Sequence, residues 1–202
     1  MSTIDGVASL RTLYRQPGQK ALDKVVTKLD DHCRRFIGQS PFCVIGTSTP
    51  DGDPDLSPRG GDPGFVHIAD DHTLLLADRP GNNRLDTLSK LAANPSVSIL
   101  FMVPGIDETL RVYGTVTIEE TSRYADLFLT KDSKSTTVIR VDVSRAMFHC
   151  PKALIRSRLW DPSTTVNSLD QPTISDIVND QIGLPRPVVT REEYTKQLTR
   201  EL

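Results

Sequence analysis

Two arginines bracket a glycine turn just ahead of a short helix: Arg79, Gly81, Asn82, Asn83 and Arg84 lie between the apolar run Leu74–Ala77 and a helical stretch over Arg84–Ala93. Arginine presents a planar fork of donors suited to phosphate oxygens, and asparagine adds neutral donors without bulk. The first N–H groups of a helix lack intrahelical partners and carry partial positive charge, so such a turn is a candidate anion site. Asn83 with Asp86 three residues on also fits a helix N-cap pattern. The other reading of these residues is a capped, solvent-facing turn.

A second candidate is Ser57-Pro58-Arg59-Gly60-Gly61. Proline inside a strand removes a ladder donor, so the segment predicts an edge or a bulge, and paired glycines let backbone approach a ligand. Arg59 adds a third positive charge if its strand lies beside Leu74–Ala77. The same residues equally fit a simple strand end. Arg111 stands in an apolar strand on the face opposite Leu110 and Val112, and lines a ligand or meets solvent. Lys152 and Arg156 share a helix face, with Arg158 and Trp160 following; the tryptophan suggests packing on a subunit or a planar ligand.

Metal chemistry is not predicted. The three cysteines, Cys33, Cys43 and Cys150, form no CxxC pair, and the four histidines, His32, His67, His72 and His149, form no HExxH. There is no GxGxxG after a strand and no P-loop. A net charge of -2 gives no whole-molecule attraction to nucleic acid. No run approaches the roughly 20 apolar residues that span a bilayer, and the N-terminus lacks a signal-peptide pattern. A cytoplasmic protein is expected, with no membrane and no nucleic-acid partner.

Periodicity predicts one amphipathic helix over Lys20–Phe36, then strands at Phe42–Thr49, Asp55–Gly60, Gly64–Ile68 and Thr73–Ala77. After the Arg84–Ala93 helix come strands at Val97–Val103 and Thr109–Ile118, a helix at Thr121–Leu129 and a strand at Thr137–Phe148. Helices are predicted at Lys152–Trp160, Ile174–Ile182 and Arg191–Leu202. Close strands joined by tight turns favour a mainly β, α+β antiparallel barrel over a doubly wound sheet. The expected organisation is an N-terminal arm over 1–18, a barrel domain over 19–160 and a helical extension over 161–202 on the barrel or a dimer partner.

Phe42–Thr49, Leu56–Gly61, Leu74–Arg84 and Asn94–Phe101, in this order, resemble the pyridoxamine 5'-phosphate oxidase-like FMN-binding proteins. The Asn94-Pro95 step before a strand ending in Phe101, and a later strand running into Gly114, are typical of that group. The resemblance spans roughly residues 20 to 160. It implies an antiparallel split β-barrel that forms a homodimer, with FMN in clefts at the subunit interface. It implies that Ser57, Pro58, Arg59 and Gly60 lie along the flavin, with Arg59 a phosphate ligand. Ala77 and Asp78 match the strand end beside the ring system. Asn83 and Arg84 match the phosphate-binding pair, in the turn that also holds Arg79 and Asn82. Arg111 lies on the strand where the family carries a polar residue a position or two earlier, and the His149–Trp160 segment, with Lys152, reaches toward the flavin.

The oxidases that make pyridoxal phosphate carry a C-terminal Arg-Leu-His type segment. Here the tail reads Arg156-Ser157-Arg158-Leu159-Trp160-Asp161-Pro162. The function expected is therefore FMN-dependent oxidoreduction of an unidentified small molecule, with no residue singled out as a general acid or base. The alternatives are a non-catalytic flavin or haem binder, with His149 or His67 as axial ligand, and an F420-dependent reductase.

Overall fold

The structure, a computed structural model, describes residues 3–128, 135–187 and 189–201. The chain divides into two compact units, Met1–Trp160 and Asp161–Leu202. The first holds one antiparallel sheet of seven strands: β1 (Phe42–Ser48), β2 (Pro54–Gly60), β3 (Val66–Ile68), β4 (Thr73–Asp78), β5 (Ser96–Met102), β6 (Thr109–Glu120) and β7 (Thr137–His149). Their spatial order is β2-β1-β5-β6-β7-β4-β3, so β2 and β3 are the edges. The sheet curls into a half-barrel, the split-barrel architecture expected from the sequence. Pro58 sits on an edge strand, where its missing donor costs no ladder bond.

Alternation along the strands builds the core. In β1, Cys43, Ile45 and Thr47 are buried, and in β5, Val97, Ile99 and Phe101. Leu110 and Val112 of β6 meet Leu74, Leu76, Ile139 and Val141 in the same core. The helix α3 (Asp31–Gln39) adds Cys33, Phe36 and Ile37, and α4 (Asp86–Ala93) adds Leu91. Ahead of these, α1 (Gly6–Leu13) and α2 (Gln19–Asp23) bury no residue.

The single helix expected over Lys20–Phe36 does not form. The chain leaves α2 and runs extended, so that Val26 exchanges two backbone hydrogen bonds with Ala146, at 2.9 and 2.8 Å. It restarts at α3, where the Asp30 carboxylate accepts from the Cys33 N–H at 2.9 Å. The cause is non-local. The β4–β7 pairing ends at Thr73 and Asp142, and Val26 pairs the flank of β7 beyond it. Leu22 and Val25 consequently stay exposed, while Leu29 is buried.

Other boundaries shift for local reasons. The stretch after β6 is a 3-10 turn, Thr121–Tyr124, followed by α5 (Ala125–Phe128); Leu129 lies outside the described residues. The helix expected over Lys152–Trp160 is α6 (Lys152–Ser157), stopped by Arg158 in the left-handed region at φ 50°. The strand expected over Gly64–Ile68 is limited to Val66–Ile68. In the second unit, α7 (Ile174–Ile182) starts with a reciprocal capping box between Thr173 and Asp176 and ends at Gly183. It is followed by α8 (Arg191–Glu201), and Leu202 lies outside the described residues.

A bulge in β7 separates its two halves. Gly114 pairs with Val143 and Tyr113 with Arg145, leaving Ser144 as the extra residue; its hydroxyl donates to the Tyr113 carbonyl at 3.1 Å. The insertion changes which positions face the core: Ile139, Val141 and Val143 are buried before it, Ala146 after it. Gly114 is required there, because a Cβ would lie 2.2 Å from the Asp142 carbonyl oxygen. Gly114→Ala is therefore expected to destabilise the fold by about 2–3 kcal/mol, read as a lower urea midpoint at unchanged slope.

Candidate functional site

On β2 the inward face is polar. Directly opposed strand residues share a face, so the pairs Cys43–Arg59, Ile45–Ser57 and Thr47–Asp55 place Asp55, Ser57 and Arg59 on the side of the buried Cys43, Ile45 and Thr47. Each of the three is half-buried, whereas Leu56, Pro58 and Gly60 point outward and are exposed. An edge strand at the mouth of a half-barrel thus turns a hydroxyl, a carboxylate and a guanidinium inward.

Arg59 is held on several sides. Its guanidinium donates to the Ser57 hydroxyl and, at 3.1 Å, to the Pro58 carbonyl. Its other terminal nitrogen lies 3.5 Å from the Asp78 carboxylate at the end of β4. The strands β2 and β4 are not hydrogen-bonded neighbours, so the adjacency needed to bring Arg59 to Leu74–Ala77 comes from the curl of the sheet. Burial raises the Asp78 carboxyl above the usual carboxylate range, and the Arg59 charge opposes the rise. Arg79 follows on the exposed side; a Cβ on Gly61 would lie 3.5 Å from its guanidinium and 2.8 Å from Phe65 Cβ. Bare backbone at Gly61 is what lets Phe65 pack there.

The other end of β2 meets α4. The Thr87 hydroxyl donates to the Asp55 carboxylate at 3.4 Å, and Lys90 binds the Asp53 carboxylate at 2.5 Å. Beside them the buried Thr47 hydroxyl has no hydrogen-bond partner among the described residues. A buried polar atom of this kind is ordinarily satisfied by a ligand or an ordered water. Thr47, Asp55 and Thr87 were not singled out in the sequence; the alternation Asp55, Ser57, Arg59 is the signal that would have found this face, since apolar residues would be expected there.

The turn before α4 differs from its expected cap. Asn83 and Leu85 adopt left-handed conformations at φ 58° and 57°, and α4 begins at Asp86 with Leu85 as its N-cap and no side-chain capping bond. Asn83 therefore does not cap the helix. The Asn82 side chain instead accepts from the Arg84 N–H at 3.1 Å. Arg84 is exposed and donates to Asp86 at 2.7 Å. Gly81, Asn82 and Asn83 are exposed in the same turn, while Ala77 is half-buried.

Arg111 is on the opposite face of the sheet. It opposes Leu100 on β5 and Met147 on β7, away from the buried Leu110 and Val112. Lys152 opens α6 and is exposed. The Trp160 indole donates to the Ile106 carbonyl at 3.0 Å, tying the end of the unit to the loop between β5 and β6. His67 aligns through Leu75 with Arg140 on β7, nine residues from His149 on the same strand. Burial pushes the Cys33 and Cys43 thiols up to about 12. No group of three or more metal-ligating side chains occurs among the described residues.

The family model described as pyridoxamine 5'-phosphate oxidase matches residues 29–150, more than half of the chain. The chain belongs to the pyridoxamine 5'-phosphate oxidase family. No curated protein matches it. Among solved structures it is similar to HupZ of Group A Streptococcus, at 17% identity and TM-score 0.45, covering 58% of this chain and 90% of that one. A Clostridium acetobutylicum protein related to general stress protein 26 matches at 14% identity and TM-score 0.45, with 58% and 85% covered. An F420 reductase matches at 18% identity and TM-score 0.42, with 57% and 94% covered. The matched segment of this family member runs from Leu29, the first core residue after α2, to the end of β7, and so contains the whole sheet.

Arg59→Gln removes the one charge that lowers the Asp78 pKa while leaving its burial in place. A carboxyl NMR titration should therefore show Asp78 protonating at higher pH in the variant; an unchanged midpoint would mean that the 3.5 Å pair does not govern it.

Proposed function

We propose that this family member is a homodimeric, FMN-dependent oxidoreductase acting on a small molecule, with the cofactor seated at the mouth of the half-barrel. The observation that carries this reading is the inward polar face of β2, where the half-buried Arg59 guanidinium is pre-positioned by Ser57 and Pro58. The donor set fits a phosphorylated cofactor with a hydroxylated chain. Arg59 supplies a charge-assisted donor, Ser57 and Thr87 supply hydroxyls, Asp55 supplies an acceptor, and the buried Thr47 hydroxyl has no partner among the described residues. Membership of the family supports the same assignment.

In this reading Arg59 anchors the phosphate, and the Arg79–Arg84 turn supplies further donors, with Asn82, Asn83 and Arg84 turned to it when Arg84 leaves its exposed pairing with Asp86. Ser57, Pro58 and Gly60 lie along the cofactor, and Ala77 and Asp78 flank it from β4. When bound, FMN supplies hydride transfer at its N5, and the protein supplies orientation and exclusion of water. In this reading Arg111 comes from a second copy, since within one copy it faces the other side of the sheet, and Lys152 follows the adjacent strand β7. The outward surface of β1 and β2 suits that pairing: Leu56 is 74% exposed and Phe42 38%, beside the half-buried Val44.

The absorbance spectrum of the purified protein, with mass spectrometry of what it releases, tests the cofactor. Flavin is expected, and Arg59→Gln should weaken FMN binding about 10- to 100-fold by fluorescence quenching, the loss of a hydrogen bond to a charged group. Wild-type protein that neither carries nor binds flavin would end the reading. Leu56→Asp should convert the dimer to monomer in light scattering at low concentration, and a retained dimer would place the interface elsewhere.

A further inference from the structure

Asp78 depends on one partner, and that partner has a second use. The carboxylate, at the end of β4, lies 3.5 Å from the Arg59 Nη2, and the two side chains are only 21% and 24% exposed. Among the described residues the Asp78 side chain has no hydrogen bond and no other ion pair. Thr137 of β7, directly opposite, is neutral, and Arg79, next along the chain, is exposed. Cys43, opposite Arg59 on β1, is a thiol pushed up to about 12 and stays neutral. Burial therefore raises the Asp78 carboxyl, and the Arg59 charge alone opposes the rise.

Arg59 can change partners without leaving its place. Its Nη1 donates to the Ser57 hydroxyl and the Pro58 carbonyl, while Nη2 is the edge turned to Asp78. In the flavin reading the same guanidinium anchors a phosphate. A dianion drawn to it takes over the positive charge and adds like charge beside the carboxylate, and both effects favour the acid form. A half-buried carboxylate left without its cation is costly, and protonation removes that cost.

We propose that Asp78 takes up one proton from solvent when Arg59 engages the phosphate of the cofactor, a coupling that rests on the flavin reading. The carboxylate becomes a neutral acid, so the free protein presents an ion pair at the mouth and the loaded protein a hydrogen-bond donor. The carboxyl holds its proton to higher pH in the complex than in the free protein, so FMN affinity is fullest below the free-protein midpoint. Affinity falls through the interval between the two midpoints, by about tenfold for each pH unit that separates them, and is flat above both. A phosphate monoester's own second ionisation, at about pH 6, works in the opposite direction, and riboflavin lacks it.

The test is calorimetric titration of FMN into the flavin-free full-length protein, wild type and Asp78→Asn, in buffers of different ionisation enthalpy over roughly pH 5 to 8. The phosphate's own ionisation is common to both proteins, so their difference counts protons at Asp78. Wild type is expected to take up between about half a proton and one proton more than Asp78→Asn at the pH of largest difference. The variant should bind FMN about tenfold more tightly than wild type above both midpoints, and riboflavin should show no such difference. A carboxyl NMR titration of wild type should place the Asp78 midpoint about one pH unit or more higher with FMN than without, and it decides the matter if Asp78→Asn does not fold. Equal proton uptake in the two proteins, an unmoved Asp78 midpoint, or the same difference with riboflavin overturns the coupling and leaves the flavin reading standing. Wild-type protein that binds no FMN overturns both.

Discussion

Arg59 and Asp78 stand near opposite ends of the strand order, yet their charged groups are 3.5 Å apart. That proximity requires the sheet to curl, and much of the molecule serves the curl. The bulge at Ser144 bends β7 and resets which of its residues face inward, and Gly114 lets the neighbouring backbone come close enough for it. The helix α3 fills the concave side with Cys33, Phe36 and Ile37, and Leu91 of α4 adds to the same core. Where these apolar side chains give out, at the mouth, the inward positions of β2 become Asp55, Ser57 and Arg59. The polar site is thus the place where core packing ends, and the ion pair across the mouth marks that boundary.

Much of this was legible along the chain. Alternation and turn residues gave the strands, and close spacing gave an antiparallel sheet with flanking helices, the architecture the chain adopts. Two of the failures, the Lys20–Phe36 helix and the β7 bulge, have a common origin in distant partners. The helix pattern of Lys20–Phe36 is real at the level of Leu29, Cys33 and Phe36, but Val26 is claimed by Ala146, 120 residues later. No local pattern carries that information. The bulge is hidden for the same reason, since a one-residue insertion is visible only against the opposing strand. In the site, two arginines around a glycine turn were readable, but their destinations were not. Arg84 pairs two residues away with Asp86, and Asn83, which looks like a cap, takes a left-handed conformation that places Leu85 at the helix start instead. The inward trio on β2 was readable as alternation; its adjacency to Asp78 was not.

The cysteines show how burial selects among the available chemistries. Cys43 lies directly opposite Arg59, close enough for the guanidinium to favour its thiolate, yet desolvation dominates and the thiol stays protonated. Cys33 is in the same state inside α3. These two buried thiols act as small apolar fillers, and the polar work at the mouth falls to oxygen and guanidinium groups.

The edge position of β2 has a further consequence for how copies of the chain can meet. A free strand edge ordinarily offers a row of donors and acceptors on which another strand can grow. Here Pro54 and Pro58 have the same parity in the strand, so both remove donors from the side turned away from β1, leaving Leu56 between them. The interruption spoils that row as a template for extending the sheet.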